Sequence, residues 1–330
     1  MRALKRLLLL AFAAALAAGG WLAYFALHPL ELPRTPYELS VRQGTGVKAV
    51  ARRLADDAVV ADPYTFWVLA RLLGKASAIQ AGTYRLDRPM TPPELLDKLA
   101  RGDVALAEIL FVEGTTFRQW RAQLAAETRV RPTLAGKSEE QVRETLGLGA
   151  DSPEGWFFPD TYRFAPGTSD VDLLKRAHAA MRKRLAEAWE ARAADLPLKT
   201  PYEALILASI VEKETGAAAE RPVIAAVFVN RLKRGMRLQT DPTVIYGIGE
   251  KYDGNIRKRD LTTDTPWNTY TRDGLPPTPI AMPGAGSLAA VSRPAQSEFL
   301  YFVGKGDGTH QFSRTLEEHN RGVTRYQLKR

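Results

Sequence analysis

The chain has 330 residues, 45% of them hydrophobic and 25% charged, with a net charge of +9, which is enough apolar material for a sizeable core and two domains. It has no cysteine, and its four histidines (His28, His178, His310 and His319) show no metal-ligand spacing; disulfide and thiolate chemistry are excluded, and no metal site or other cofactor is expected. The positive balance admits anionic lipid, an acidic polymer or nucleic acid as a neighbour, although Lys175, Arg176, Arg182, Lys183 and Arg184 share one predicted helix with Glu187 and Glu190 and read as a solvated face.

Residues 1–6 carry Arg2, Lys5 and Arg6, and Leu7 to Leu27 is an uncharged apolar run. About 21 residues at roughly 1.5 Å each are long enough to cross a hydrocarbon core. The positive-inside rule then predicts a cytoplasmic tail over 1–6, a transmembrane anchor over 7–27 and everything beyond on the outer side, with Trp21, Tyr24 and Phe25 near the outer interface. Ala15-Leu16-Ala17 offers the rival reading of a cleaved signal peptide, but the run is long for one. An exported chain does not usually meet nucleic acid, so nucleic acid is not expected as a partner. Residues 28–38, with three prolines, read as a linker.

A first folded segment is expected over 39–130. Val41 to Thr45 suggests a strand and turn, followed by helices over 47–56 and 63–73, a strand over 82–86 and a helix over 91–101. The pattern Val41-Arg42-Gln43-Gly44-Thr45 through Ala51 and Leu54 recurs as Phe111-Val112-Glu113-Gly114-Thr115 through Arg121 and Leu124, which predicts two similar strand-turn-helix units. The second domain is expected over 131–330, entered through a polar loop and short helix over 131–152. In Glu154-Gly155-Trp156-Phe157-Phe158-Pro159-Asp160-Thr161-Tyr162 the aromatics Trp156, Phe157 and Phe158 read as a hydrophobic loop tucked under a core, while Asp160 and Tyr162 remain open. A charged helix is expected over 171–194.

The next helix carries the most informative residue. Thr200 is a good N-cap, Pro201 suits the first position, Glu203 completes a capping box and Gly216 stands where a helix stops. At 100° per residue Leu207, Ile210, Val211 and Glu214 fall on one stripe, whereas Glu212 and Lys213 project elsewhere. A carboxyl on an apolar face has its pKa raised by burial and can hold a proton near neutral pH, as a general acid must. The alternative is a helix-end carboxylate that reaches solvent or pairs with an arginine.

An amphipathic helix over 221–234 leads to Arg237-Leu238-Gln239-Thr240-Asp241-Pro242-Thr243-Val244-Ile245-Tyr246-Gly247. Gln239, Thr240 and Thr243 offer the hydrogen bonds that sugar hydroxyls require, and Tyr246 an apolar face with a polar tip; Asp241 either joins them or caps the helix that follows Pro242. Trp267-Asn268-Thr269-Tyr270 and Gly274-Leu275-Pro276-Pro277 read as a proline-stiffened loop. Phe299 to Ser313 reads as a hairpin, and His310 and His319 as structural histidines.

Ile-Val-Glu-Lys-Glu-Thr-Gly over 210–216, Glu154 to Thr161, Arg237 to Gly247 and the Asn-Thr-Tyr and Gly-Leu-Pro-Pro segments together resemble the endolytic murein transglycosylases of the YceG-like family. The resemblance implies an α+β fold with an N-terminal transmembrane helix, a LysM-like membrane-proximal subdomain and a mixed α/β lytic transglycosylase domain. It implies Glu214 as the acid, followed by a hydroxyl residue, Thr215, and substrate binding by Gln239, Thr240, Asp241, Thr243, Tyr246, Asn268, Thr269 and Tyr270. Implied partners are peptidoglycan glycan strands and the inner membrane, with peptidoglycan synthases as candidates. Two readings compete with it: a hydrolytic muramidase using Asp241 or Asp160 as second carboxylate, and a non-catalytic peptidoglycan-binding scaffold.

Overall fold

The computed structural model describes residues 2–214 and 216–328. The chain divides into two compact units, one of residues 1–107 with 163–167, the other of residues 108–162 with 168–330.

In the first unit, α1 (Arg2–Leu27) contains Leu4–Leu27, a 24-residue helix long and apolar enough to cross a membrane by length and composition. β1 (Tyr37–Val41), α2 (Val47–Asp56), α3 (Pro63–Leu72), β2 (Gly82–Leu86) and α4 (Pro92–Arg101) follow. β1 and β2 pair antiparallel, Tyr37 opposite Leu86 and Val41 opposite Gly82. Tyr37, Leu39 and Val41 are buried while Glu38 and Ser40 face outward, because successive side chains of a strand point to opposite faces. The strand expected from Val41 therefore ends there instead of starting there. Asp62 caps α3 by accepting from the N–H groups of Tyr64 and Thr65, and Thr91 and Glu94 form a capping box on α4. Leu39, Leu54, Phe66, Tyr84, Leu86 and Leu99 belong to the core.

β3 (Ala107–Leu110) leads into the second unit, which continues with α5 (Phe117–Ala126), α6 (Glu139–Leu146) and α7 (Asp170–Glu190), while β4 (Thr161–Phe164) begins in the second unit and ends in residues 163–167 of the first. Compact packing changes hands at Ala107, earlier than the boundary at 130 read from the sequence, and the reason lies in the aromatics. Phe111 stacks on Trp120 and Phe117 on Phe157, with ring centroids 3.8 and 5.1 Å apart, so α5 shares its core with the Glu154–Tyr162 loop. Both copies of the internal repeat are strand-turn-helix units, with Gly44 and Gly114 at φ of 80° and 73°, a conformation that glycine adopts without strain. One copy lies in each unit.

The remaining elements are α8 (Pro201–Glu214), α9 (Arg221–Lys233), α10 (Asp241–Ile248), α11 (Lys258–Thr262), α12 (Ala285–Ser292), β5 (Tyr301–Gly304), β6 (His310–Ser313) and α13 (Leu316–Val323). β5 and β6 form the expected antiparallel hairpin. Helix α8 is central. Every residue from Ala204 to Val211 is buried, and α7, α9, α10 and α12 all pack against it. The single stripe read from the sequence is thus too narrow: the helix is apolar all round, as interior helices are.

Candidate active site

Glu214 is the last residue of α8, so its carboxyl leaves the buried helix where the core ends. It lines a cavity of about 420 Å³ together with Arg231, Gln239, Asp241, Tyr270 and Tyr301. Thr240 donates its hydroxyl hydrogen to Glu214 Oε1. Burial lifts the Glu214 pKa to about 7, with the neighbouring Asp241 charge adding to the rise while the Thr240 hydrogen bond and Arg231 oppose it. A carboxyl poised at that value carries a proton at neutral pH and can take one back.

The loop from Arg237 to Asp241 is held by backbone and buried hydroxyls. The N–H of Gln239 donates to the Thr269 carbonyl at 3.1 Å, and the N–H of Thr240 to Thr269 Oγ1 at 3.1 Å. Thr243 donates to the Thr240 carbonyl at 2.7 Å and meets Thr269 Oγ1 at 2.9 Å. Gln239 adopts φ of 50°, an uncommon conformation for a residue with a side chain, and its Oε1 accepts from Arg231 at 3.3 Å. Thr240 is the N-cap of α10, without a side-chain cap hydrogen bond, and Asp241 is the first helical residue. Asp241 instead accepts from the Tyr270 hydroxyl at 2.6 Å, which removes the capping alternative.

Of the residues expected to bind substrate, Gln239, Thr240, Asp241 and Tyr270 line the Glu214 cavity. Asn268, Thr243 and Thr269 have a different place. Asn268 is 1% exposed, its amide donating to the carbonyls of Asp260, Leu261 and Thr263 and its oxygen accepting from the Tyr270 N–H. With its groups already hydrogen-bonded, it shapes the loop and offers nothing to a ligand. Thr243 and Thr269 are likewise buried and bonded to each other. Tyr246 faces a separate cavity of about 830 Å³, where its hydroxyl donates to Glu154 Oε2 at 3.1 Å and its ring meets Trp267 edge-on. Thr215 lies outside the described residues.

Three further residues matter that the sequence reading left aside. Arg231 is 8% exposed and donates to the carbonyls of Leu300, Arg237 and Leu238 at 2.6, 3.1 and 2.9 Å, with Tyr301 under its guanidinium. It continues the buried Ile224, Val227, Phe228 side of α9, so the signal that singled out Glu214 also marks this residue. Glu154 is 5% exposed and accepts from the Phe117 N–H and Tyr246; burial raises its pKa to about 7. Glu212 does leave the Glu214 side of the helix, and its side chain is only 5% exposed. It accepts from the Gly284 N–H at 2.9 Å, the Ser287 hydroxyl at 2.7 Å and Arg221 at 3.4 Å. His310, paired with Glu220 at 2.7 Å, and His319, stacked on Tyr301, line the Glu214 cavity with structural partners already in place.

Residues 39–325 match the model of the YceG-like family. The chain is 33% identical, over 91% of its length and 88% of the relative's, to the endolytic murein transglycosylase of Bacillus subtilis. To the endolytic murein transglycosylase of Streptococcus pneumoniae D39 it is 27% identical, spanning 96% of this chain and 64% of that longer protein. A crystal structure of a yceG-like protein from Listeria monocytogenes superposes with a TM-score of 0.53 at 28% identity, covering 87% of this chain and 99% of the other.

Proposed function

Since the chain belongs to the YceG-like family, we propose that it is a membrane-anchored endolytic murein transglycosylase that cleaves between N-acetylmuramic acid and N-acetylglucosamine inside peptidoglycan strands. The observation that carries the reading is Glu214, a carboxyl with its pKa raised to about 7, in a cavity with neighbouring hydrogen-bonding side chains.

In the reaction Glu214 gives its proton to the glycosidic oxygen as the bond to the muramyl anomeric carbon breaks. The resulting carboxylate takes the proton from the muramyl primary hydroxyl, whose oxygen forms the new bond to the same carbon. The product is a 1,6-anhydro-muramyl end, and Glu214 finishes protonated as it began. Intramolecular attack exploits proximity, so no second nucleophile is required. Gln239, Asp241 and Tyr270 hold the sugar, and Thr240 orients the acid through Oε1.

On this reading residues 7–27 of α1 span the inner membrane, with residues 1–6 inside and the rest of the chain outside. The strand-helix-helix-strand order of residues 37–86, with its antiparallel pair, supports a LysM-like glycan-binding subdomain. Termination of nascent strands, in company with peptidoglycan synthases, is the role that fits an anchored endolytic enzyme.

Asp241 is the other carboxylate among the described residues lining the cavity, and it is what a hydrolytic muramidase would require as a second acid-base group. Digestion of uncrosslinked glycan strands in heavy-oxygen water separates the two. The transglycosylase yields anhydro ends free of solvent oxygen, from cuts at internal bonds, whereas reducing ends labelled with solvent oxygen would establish the muramidase.

A further inference from the structure

Along α3, Tyr64 is 69% exposed, Val68 38% and Leu72 69%. Spaced four apart, these residues form one stripe of a helix. Thr65 lies about 20° around the helix from Leu72, and its hydroxyl oxygen accepts from the Trp21 indole N–H of α1 at 3.3 Å. The exposed apolar stripe therefore adjoins the flank of α3 that meets the apolar helix. That contact is broad: Leu22, Phe25 and Ala26 pack against the core of the same unit.

The level of the contact along α1 follows from lengths. The 24 residues Leu4–Leu27 extend about 36 Å, against a hydrocarbon core of about 30 Å. Only about four residues are then left over, yet Trp21 stands roughly 9 Å before the end of the helix. Any placement of the span that fills the hydrocarbon sets Trp21, and with it Thr65, about 3 to 9 Å inside the boundary between acyl chains and headgroups. The side chains flanking the stripe suit that depth. Trp67 lies beneath two cations, Lys48 Nζ at 4.7 Å and the Arg71 guanidinium at 5.4 Å from its ring centroid. Aromatic rings beside basic side chains are what the interface selects, the rings entering the acyl boundary while the cations meet phosphates.

We infer that the Tyr64, Val68 and Leu72 face of α3 is a membrane-docking surface, which seats the first unit in an anionic headgroup layer beside α1. This rests on the reading of α1 as a membrane span. Docking adds a second attachment to the anchor and fixes the rotation of the unit about it.

The chain has no cysteine of its own, so single reporters can be placed in the full-length protein. Leu10→Cys, Tyr64→Cys and Leu72→Cys variants, each labelled with a fluorophore, are reconstituted into phosphatidylglycerol vesicles with and without lipids brominated high on the acyl chain. The expected result is that Tyr64→Cys and Leu72→Cys each lose at least half their emission in brominated vesicles, and that Leu10→Cys is quenched by lipids brominated deep in the chain. Quenching at Leu10 with unchanged emission at Tyr64 and Leu72 would overturn the docking surface and leave the anchor standing. Unchanged emission at all three positions would overturn both.

Discussion

Thr240 gives its hydroxyl hydrogen to Glu214 while its own backbone N–H is held by the hydroxyl oxygen of Thr269. The acid at the end of α8 is thereby oriented by a loop that is itself locked by buried threonines. On the proposed mechanism the carboxyl oxygen other than Oε1 carries the proton that is transferred.

Replacing that carboxyl by an amide removes proton transfer without changing shape. Glu214→Gln is expected to lower turnover by about 10³-fold, within the range that positioned acid–base groups contribute, with an unchanged thermal melt. Turnover near that of the parent protein would exclude Glu214 as the acid.

The pKa of about 7 on Glu214 sets the pH dependence. On the proposed mechanism the free enzyme is active with Glu214 protonated, so kcat/KM should fall tenfold per pH unit above about 7. In Thr240→Val the hydrogen bond that favours the charged form is lost, and the break should move upward. A break that stays in place in Thr240→Val would deny Thr240 this influence on the acid.

Glu212 is a test of structure rather than chemistry. Its side chain is 5% exposed and ties α8 to Gly284, Ser287 and Arg221. Glu212→Ala strands these buried groups and should cost about 3 kcal/mol in urea unfolding; Glu212→Gln, which keeps an acceptor oxygen, should cost about 1 kcal/mol and cleave with more activity than Glu214→Gln. A dead Glu212→Gln with normal stability would move the catalytic role to that residue.

The buried Glu154 ties stability to pH. Its carboxyl ionises near 4.5 when unfolded and about 7 when folded, so between these values the native state binds more protons. Glu154 alone should therefore lower the unfolding free energy by about 3 kcal/mol as pH rises from about 4.5 to about 7, alongside a like contribution from Glu214. Glu154→Gln mimics the protonated form and should flatten that part of the curve. A slope unchanged by the substitution would show that the carboxyl does not titrate there.

Much was readable in the chain itself because it depends on neighbours in sequence. Apolar length marked α1, caps and periodicity placed α2, α3 and α8 to within a residue or so, and a carboxylate on an apolar helix marked Glu214. What separated cavity-lining from structural polar residues was not local. Gln239, Asp241 and Tyr270 line the Glu214 cavity, whereas Asn268, Thr243 and Thr269 are buried beside them, and no spacing rule tells these sets apart. The difference lies in which carbonyls and hydroxyls lie within hydrogen-bonding reach after the loops close, and a buried amide bonded to three carbonyls is no longer available to a ligand. The same holds for the passage between units at Ala107, decided by the stacking of Phe111 and Phe117 on distant rings, and for Tyr246, drawn by Glu154 into a different cavity. Periodicity is written in a segment, but partnership between segments exists only once tertiary packing brings them together.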